Sequence, residues 1–96
     1  MPKAVWNDTV LAQSDKYKMV EGNVYFPPDS VKWDYFSPGD RQYTCPWKGE
    51  SAYYNIKVDG EVLENAAWAY PDPKPAAQYI KGFVAFDTAM GIEVVD

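Results

Sequence analysis

Residues 51–70 read SAYYNIKVDGEVLENAAWAY, and this stretch decides the fold class. From Ser51 to Val58 the residues alternate around the tyrosines and Ile56, the period-two pattern of a half-buried strand. Asp59-Gly60 is a strong two-residue hairpin signal, because the favoured turn needs positive φ at its central positions and this pair supplies it. Glu61 to Tyr70 is then the return strand, with Ala66-Ala67-Trp68 near its end.

Working outward, the same punctuation repeats. Upstream, Gln42 to Cys45 is a short strand ending at Pro46, and Ser37-Pro38-Gly39-Asp40 is a loop. Val5 and Thr9 to Ala12 sit around Asn7-Asp8 as two short strands joined by a tight turn. Asp15-Lys16 is a second turn. Tyr17 to Glu21 is a strand, Gly22-Asn23 breaks it, and Val24-Tyr25-Phe26 follows until Pro27-Pro28-Asp29-Ser30. Pro28, ahead of Val31 and Trp33, starts one helical turn, since proline is tolerated at the first helical position. Downstream, Pro71-Asp72-Pro73-Lys74-Pro75 is a stiff link. Pro75 to Ile80 reads as a short helix with Gly82 as its stop. Phe83 to Phe86 and Gly91 to Val95 are the last strands. The sum is mostly β: seven or eight short antiparallel strands and one short helix near residues 75–81, as in a compact half-barrel or sandwich.

Composition agrees and excludes several function classes. The 96 residues make one domain, 1–96, since a second core needs roughly 50 residues of its own. Leu11 and Leu63 are the only leucines, and aromatics reach 17%, so the apolar set is a strand-forming palette. Nine Lys+Arg stand against 14 Asp+Glu, a net charge of -5 that argues against nucleic acid as a partner. Histidine is absent, which removes Ser-His-Asp and Cys-His catalysis and the commonest metal ligand. One cysteine allows neither an intrachain disulfide nor a Cys-x-x-Cys zinc site, so no metal and no cofactor are expected. The longest apolar run is far below the ~20 residues that span a bilayer. A free cysteine and an N-terminus without a signal-peptide core fit a cytoplasmic protein with no membrane partner, a monomer or weak homodimer.

Four blocks carry a resemblance: EGNVYFP (21–27), TCPWKG (44–49), AAWAYPDP (66–73) and IKGFVAF (80–86). In this order they resemble the small bacterial and fungal DUF427 domain, over almost the whole chain from Val10 to Val94. The resemblance implies a compact, tent-like β fold of a kind that often binds a small ligand. Some members of that family carry a nucleotidyltransferase label. Such chemistry takes paired carboxylates for Mg²⁺ and a phosphate cradle, whereas this chain has no Gly-rich phosphate loop. Its close acidic pair, Asp59 and Glu61, flanks a hairpin glycine and is more simply solvated.

The residues that bear chemistry lie in or beside these blocks. Cys45 is either a nucleophile or redox-sensitive thiol whose pKa Lys48 lowers, or a small buried hydrophobe before a proline. Lys48 is either an exposed turn lysine or an anchor for a carboxylate, Glu21 included. Glu21 is solvated or, if buried, must be paired. Tyr25, Trp47, Tyr53, Tyr54, Trp68 and Tyr70 suit both a pocket and a core. A pocket is expected where the Glu21-to-Pro27 segment meets the Thr44-to-Gly49 turn and the end of the Trp68 strand. Its ligand-binding residues are Glu21 and Lys48 as polar anchors, Asn23 beside them, Tyr25, Tyr54, Trp68 and Tyr70 as the wall, and Cys45 as the floor.

Three functions compete: a small-molecule- or partner-binding β domain, an enzyme using Cys45, Lys48 and Glu21, and an assembly protein with a large apolar patch. Convergence of Cys45, Lys48 and Glu21 on one cavity favours the second; a Cys45 sealed in the core removes it.

Overall fold

A computed structural model describes all 96 residues. Strands take 48% of them and helical turns 16%, so the protein is mostly β, as the strand-forming palette requires. The 51–70 hairpin is its centre. Strands β8 (Ala52–Val58) and β9 (Glu61–Ala69) pair antiparallel about Asp59-Gly60, whose φ values of 52° and 81° are those of the expected turn. On either side lie β10 (Val84–Phe86), paired to β9, and β5 (Phe36–Pro38), paired to β8.

The β5 strand corrects the loop expected from Ser37-Pro38. It lies at the sheet's edge, where a proline's missing N–H costs no ladder bond. A second sheet has the order β11 (Glu93–Val95), β1 (Lys3–Trp6), β2 (Thr9–Gln13), with Asn7 and Asp8 turning at φ 51° and 58°. Two small hairpins complete the β structure: β3 (Lys18–Val20) with β4 (Asn23–Tyr25), and β6 (Thr44–Cys45) with β7 (Gly49–Glu50). All pairings are antiparallel and no sheet closes into a barrel.

The short helix lies at Pro75–Ile80, as two 3₁₀ turns kinked at Ala77. Six residues are too few to pay for an α-helical nucleus, so tighter i→i+3 bonds close the turns. Further 3₁₀ turns occur at Pro28–Ser30, where Pro28 announced one, and at Trp33–Tyr35 and Thr88–Met90. No helix is long and apolar enough to cross a membrane.

The four-stranded sheet separates two hydrophobic clusters. One face carries Ile56, Val58, Ala67, Ala69, Val84 and Phe86 against Ala4, Leu11, Ala12, Phe26 and Ile92. The other carries Tyr70 and Ala85, with Trp68 alongside, against Val20, Tyr25, Cys45, Ala77 and Ile80. Strand alternation makes this division: Val84 and Phe86 face one cluster while Ala85, between them, faces the other. The candidate site opens on the second cluster.

Candidate functional site

Three loops built by strong local signals meet over the Trp68 face. Glu21 and Gly22 form the β3–β4 turn at φ 52° and 81°, so the hairpin tip presents the Glu21 carboxylate. Residues 46–48 link β6 to β7, and the next residue, Gly49, has a φ of 106°. The proline-rich link clamps this turn from behind: Lys74 N–H donates to the Lys48 carbonyl at 3.0 Å, and Lys74 Nζ to the Pro46 carbonyl at 2.8 Å. The end of β9 supplies Trp68 and, just beyond, Tyr70.

An open cavity of about 200 Å³ lies between them. Of the residues expected there, Glu21, Asn23, Tyr25, Cys45, Lys48, Trp68 and Tyr70 all line it. Tyr54 does not. It shares the parity of Ile56 and Val58, so it faces the first cluster and packs edge-on to Trp33 and Phe36 at 5.4 and 6.2 Å. Its neighbour Tyr53 takes the position on the wall, and Tyr43 joins it. The alternation of 54, 56 and 58 was the signal that separated the two tyrosines. Tyr43 carried no such signal, because its place depends on the Ser51 backbone and hydroxyl that hold it.

Lys48 is the unusual residue. It is 4% exposed, and its ammonium sits 5.0 Å from the Trp47 ring centre and 5.3 Å from that of Tyr70. Its counter-ion is Glu21, whose carboxylate accepts a hydrogen bond from Lys48 Nζ while 54% of its own side chain stays exposed. Burial works against the charge on Lys48, but the bond to Glu21 and the neighbouring Tyr25, Tyr70 and Cys45 outweigh it, and the pKa is raised. The bond from Lys48 holds the Glu21 carboxyl below its ordinary range. Burial raises the phenols: Tyr70 is pushed up to about 12 and Tyr25 also upward, so both stay neutral donors and acceptors. Tyr25 Oη accepts from Trp68 Nε1 at 3.1 Å, which fixes both rings, 6.5 Å apart and nearly perpendicular.

Cys45 is 4% exposed yet lines the cavity. Burial raises its thiol, but the N–H groups of Lys48 and Trp47 directed at the sulfur, with the nearby ammonium, pull it down, and the net shift is downward. The sequence alternatives thus meet: Cys45 belongs to the second core cluster and also faces the cavity with Lys48 and Glu21. No group of three or more acidic or cysteine side chains gathers here or elsewhere.

The ion pair predicts an asymmetry. Glu21→Gln strands a buried ammonium, whereas Lys48→Met leaves an exposed carboxylate that water resolvates. Glu21→Gln therefore lowers Tm more than Lys48→Met. Because the folded-state pKa of Glu21 is depressed, the gap between wild type and Glu21→Gln is full above 4.5 and closes as pH falls through the lower folded value. The raised Lys48 pKa makes the pair's contribution full below 10.5, lost only in stronger alkali. Urea unfolding of both variants from pH 3 to pH 8 (about the carboxylate titration range) checks this; a larger loss in Lys48→Met, or a gap that ignores pH, contradicts it.

A family model described as "Domain of unknown function (DUF427)", with the short label NTP_transf_9, matches residues 2–96. No curated protein matches the chain.

Proposed function

We propose that this chain, which belongs to the DUF427 family, binds a small organic anion in the Lys48 cavity as a ligand-binding β domain. The observation that carries this reading is the pairing of an almost fully buried ammonium with a half-exposed carboxylate on a hairpin tip. A buried ion pair is no better for stability than apolar packing of the same volume, so folding alone does not call for the charge. A ligand carboxylate gives it a purpose: it takes the place of Glu21 on Lys48, and Glu21 swings into water on its turn. The ring of such a ligand lies against Trp68 and Tyr53, cross-strand neighbours whose ring centres are 6.1 Å apart with planes tilted by 38°. A cavity of about 200 Å³ suits a compact, one-ring acid.

The test is a thermal-melt titration with benzoate and, as a neutral control of similar shape, benzyl alcohol. A ligand that binds only the folded state raises Tm with concentration. Benzoate is expected to do so and benzyl alcohol not; equal shifts, or none, reject the anion site.

The enzyme reading keeps one specific support, the two N–H groups that favour a Cys45 thiolate beside Lys48. It predicts that iodoacetamide modifies native Cys45 with a pH midpoint below the ordinary 9.0, and that Lys48→Met moves the midpoint up. Alkylation that occurs only in denaturant removes Cys45 from any chemistry. Nucleotidyl transfer fits less well, because the cavity offers a single carboxylate and that one is bonded to lysine.

A further inference from the structure

Tyr53 also lines a second cavity, of about 410 Å³, along Pro38, Gly39, Arg41 and Ser51. Tyr53 lines both, and hydrogen bonds join Tyr43 of the first cavity to Ser51 of the second. The first cavity has room for a one-ring acid, and the second, at about 410 Å³, lies within the roughly 300–1,000 Å³ usual for organic ligands.

The second cavity has a preset cation. The Arg41 guanidinium lies over the Tyr53 ring at 5.2 Å. Arg41 pairs with no carboxylate: the protein's two ion pairs are Lys48 with Glu21 and the N-terminus with Asp96. Its loop is tightly held. Gly39 N–H donates to the Tyr53 carbonyl at 2.8 Å, Arg41 N–H to Asn65 Oδ1 at 3.2 Å, and Asn65 Nδ2 to Asp40 Oδ1 at 2.9 Å. Gly39 leaves no room for a Cβ against the Asn65 side chain. Asn65 itself stands at φ 54°, in the bulge where β9 carries extra residues opposite Asn55. The loop's backbone is thus fixed, and the guanidinium itself rests on the Tyr53 ring with its N–H donors free for an acceptor.

We infer that Arg41 is a second anchor, and that the ligand is an elongated aryl carboxylate with a carbonyl-type acceptor at its far end. The carboxylate sits on Lys48, the ring crosses Tyr53, and the acceptor takes N–H bonds from Arg41. Glu50 lines the same groove and Asp40 adjoins it, so a neutral acceptor fits there better than a second carboxylate. This inference rests on the reading of Lys48 as the anion anchor.

Two probes separate the claims: benzoate, which ends at the ring, and 4-acetamidobenzoate, which adds an amide carbonyl opposite the carboxylate. Both are titrated into the ¹⁵N-labelled full chain and followed by amide shifts. The longer acid is expected to bind about tenfold tighter, the worth of a hydrogen bond to a charged donor. It alone should move the amides of Gly39 to Gln42. Arg41→Met should erase that gain, so that the two acids bind the variant with equal affinity. Equal affinities of the two acids, a gain that survives Arg41→Met, or unmoved 39–42 amides overturn the second anchor while benzoate binding still upholds the first. If neither acid perturbs the Lys48 amide, both readings fall. The amide map is read on the wild-type protein, so it decides even if the variant does not fold.

Discussion

Phe26→Ala is expected to lower the free energy of unfolding by about 3–5 kcal/mol, the usual cost of emptying a fully buried phenylalanine position. Phe26 is wholly buried and packs edge-on to Phe86 with ring centres 5.8 Å apart. Its backbone also exchanges both hydrogen bonds with Val84, at 2.8 Å each, and so ties the β3–β4 hairpin to the central sheet. A protein of this size has roughly 5–14 kcal/mol in all, so the variant keeps a fraction of its stability. Tm should fall by more than about 12 °C. Phe26→Leu, which retains most of the volume, should lose far less. Calorimetry of the two variants decides it; a loss in Phe26→Ala below about 1 kcal/mol would contradict the packing between hairpin and sheet. The consequence for the site is direct, because Tyr25 and Asn23 stand on the strand that Phe26 anchors.

The second large effect is on binding. Lys48→Met keeps the length and most of the apolar stem but deletes the only cation in the first cavity. Truncating one partner of a desolvated charge pair costs about 2–5 kcal/mol, so benzoate affinity should fall about 30-fold or more. The melting temperature without ligand should move little, since Glu21 is already half in water. Isothermal titration on wild type and variant measures the ratio. An unchanged affinity would move the anion elsewhere, and Arg41 would be the next cation to examine.

Much of the site was legible before the fold was known, and the reasons lie in particular residues. Glycines and prolines in the flanking loops mark where the chain must turn, and turns at Glu21-Gly22 and around Trp47-Lys48 put their side chains at strand ends. Trp68 and Tyr70 alternate with Ala67 and Ala69, so the large rings fall on one face and the alanines on the other. Tyr54 is near the blocks in sequence, but its parity with Ile56 turns it to the first cluster. Arg41 and Tyr43 were not legible, since the first is positioned through Asn65 and Tyr53 and the second through Ser51.

The sequence by itself determined the central hairpin and the tight turns. Asp59-Gly60 and Asn7-Asp8 adopt their backbone conformations for reasons contained within two residues, and Pro75 opens its 3₁₀ turn for the same kind of reason. Only the tertiary structure decided that Lys48 is buried, that Glu21 reaches it across 27 positions, and that Ser37-Pro38 becomes an edge strand on β8. These outcomes depend on which surfaces exclude water and which charges then meet. That energy belongs to pairs of segments far apart in the chain, and no local pattern of residues carries it.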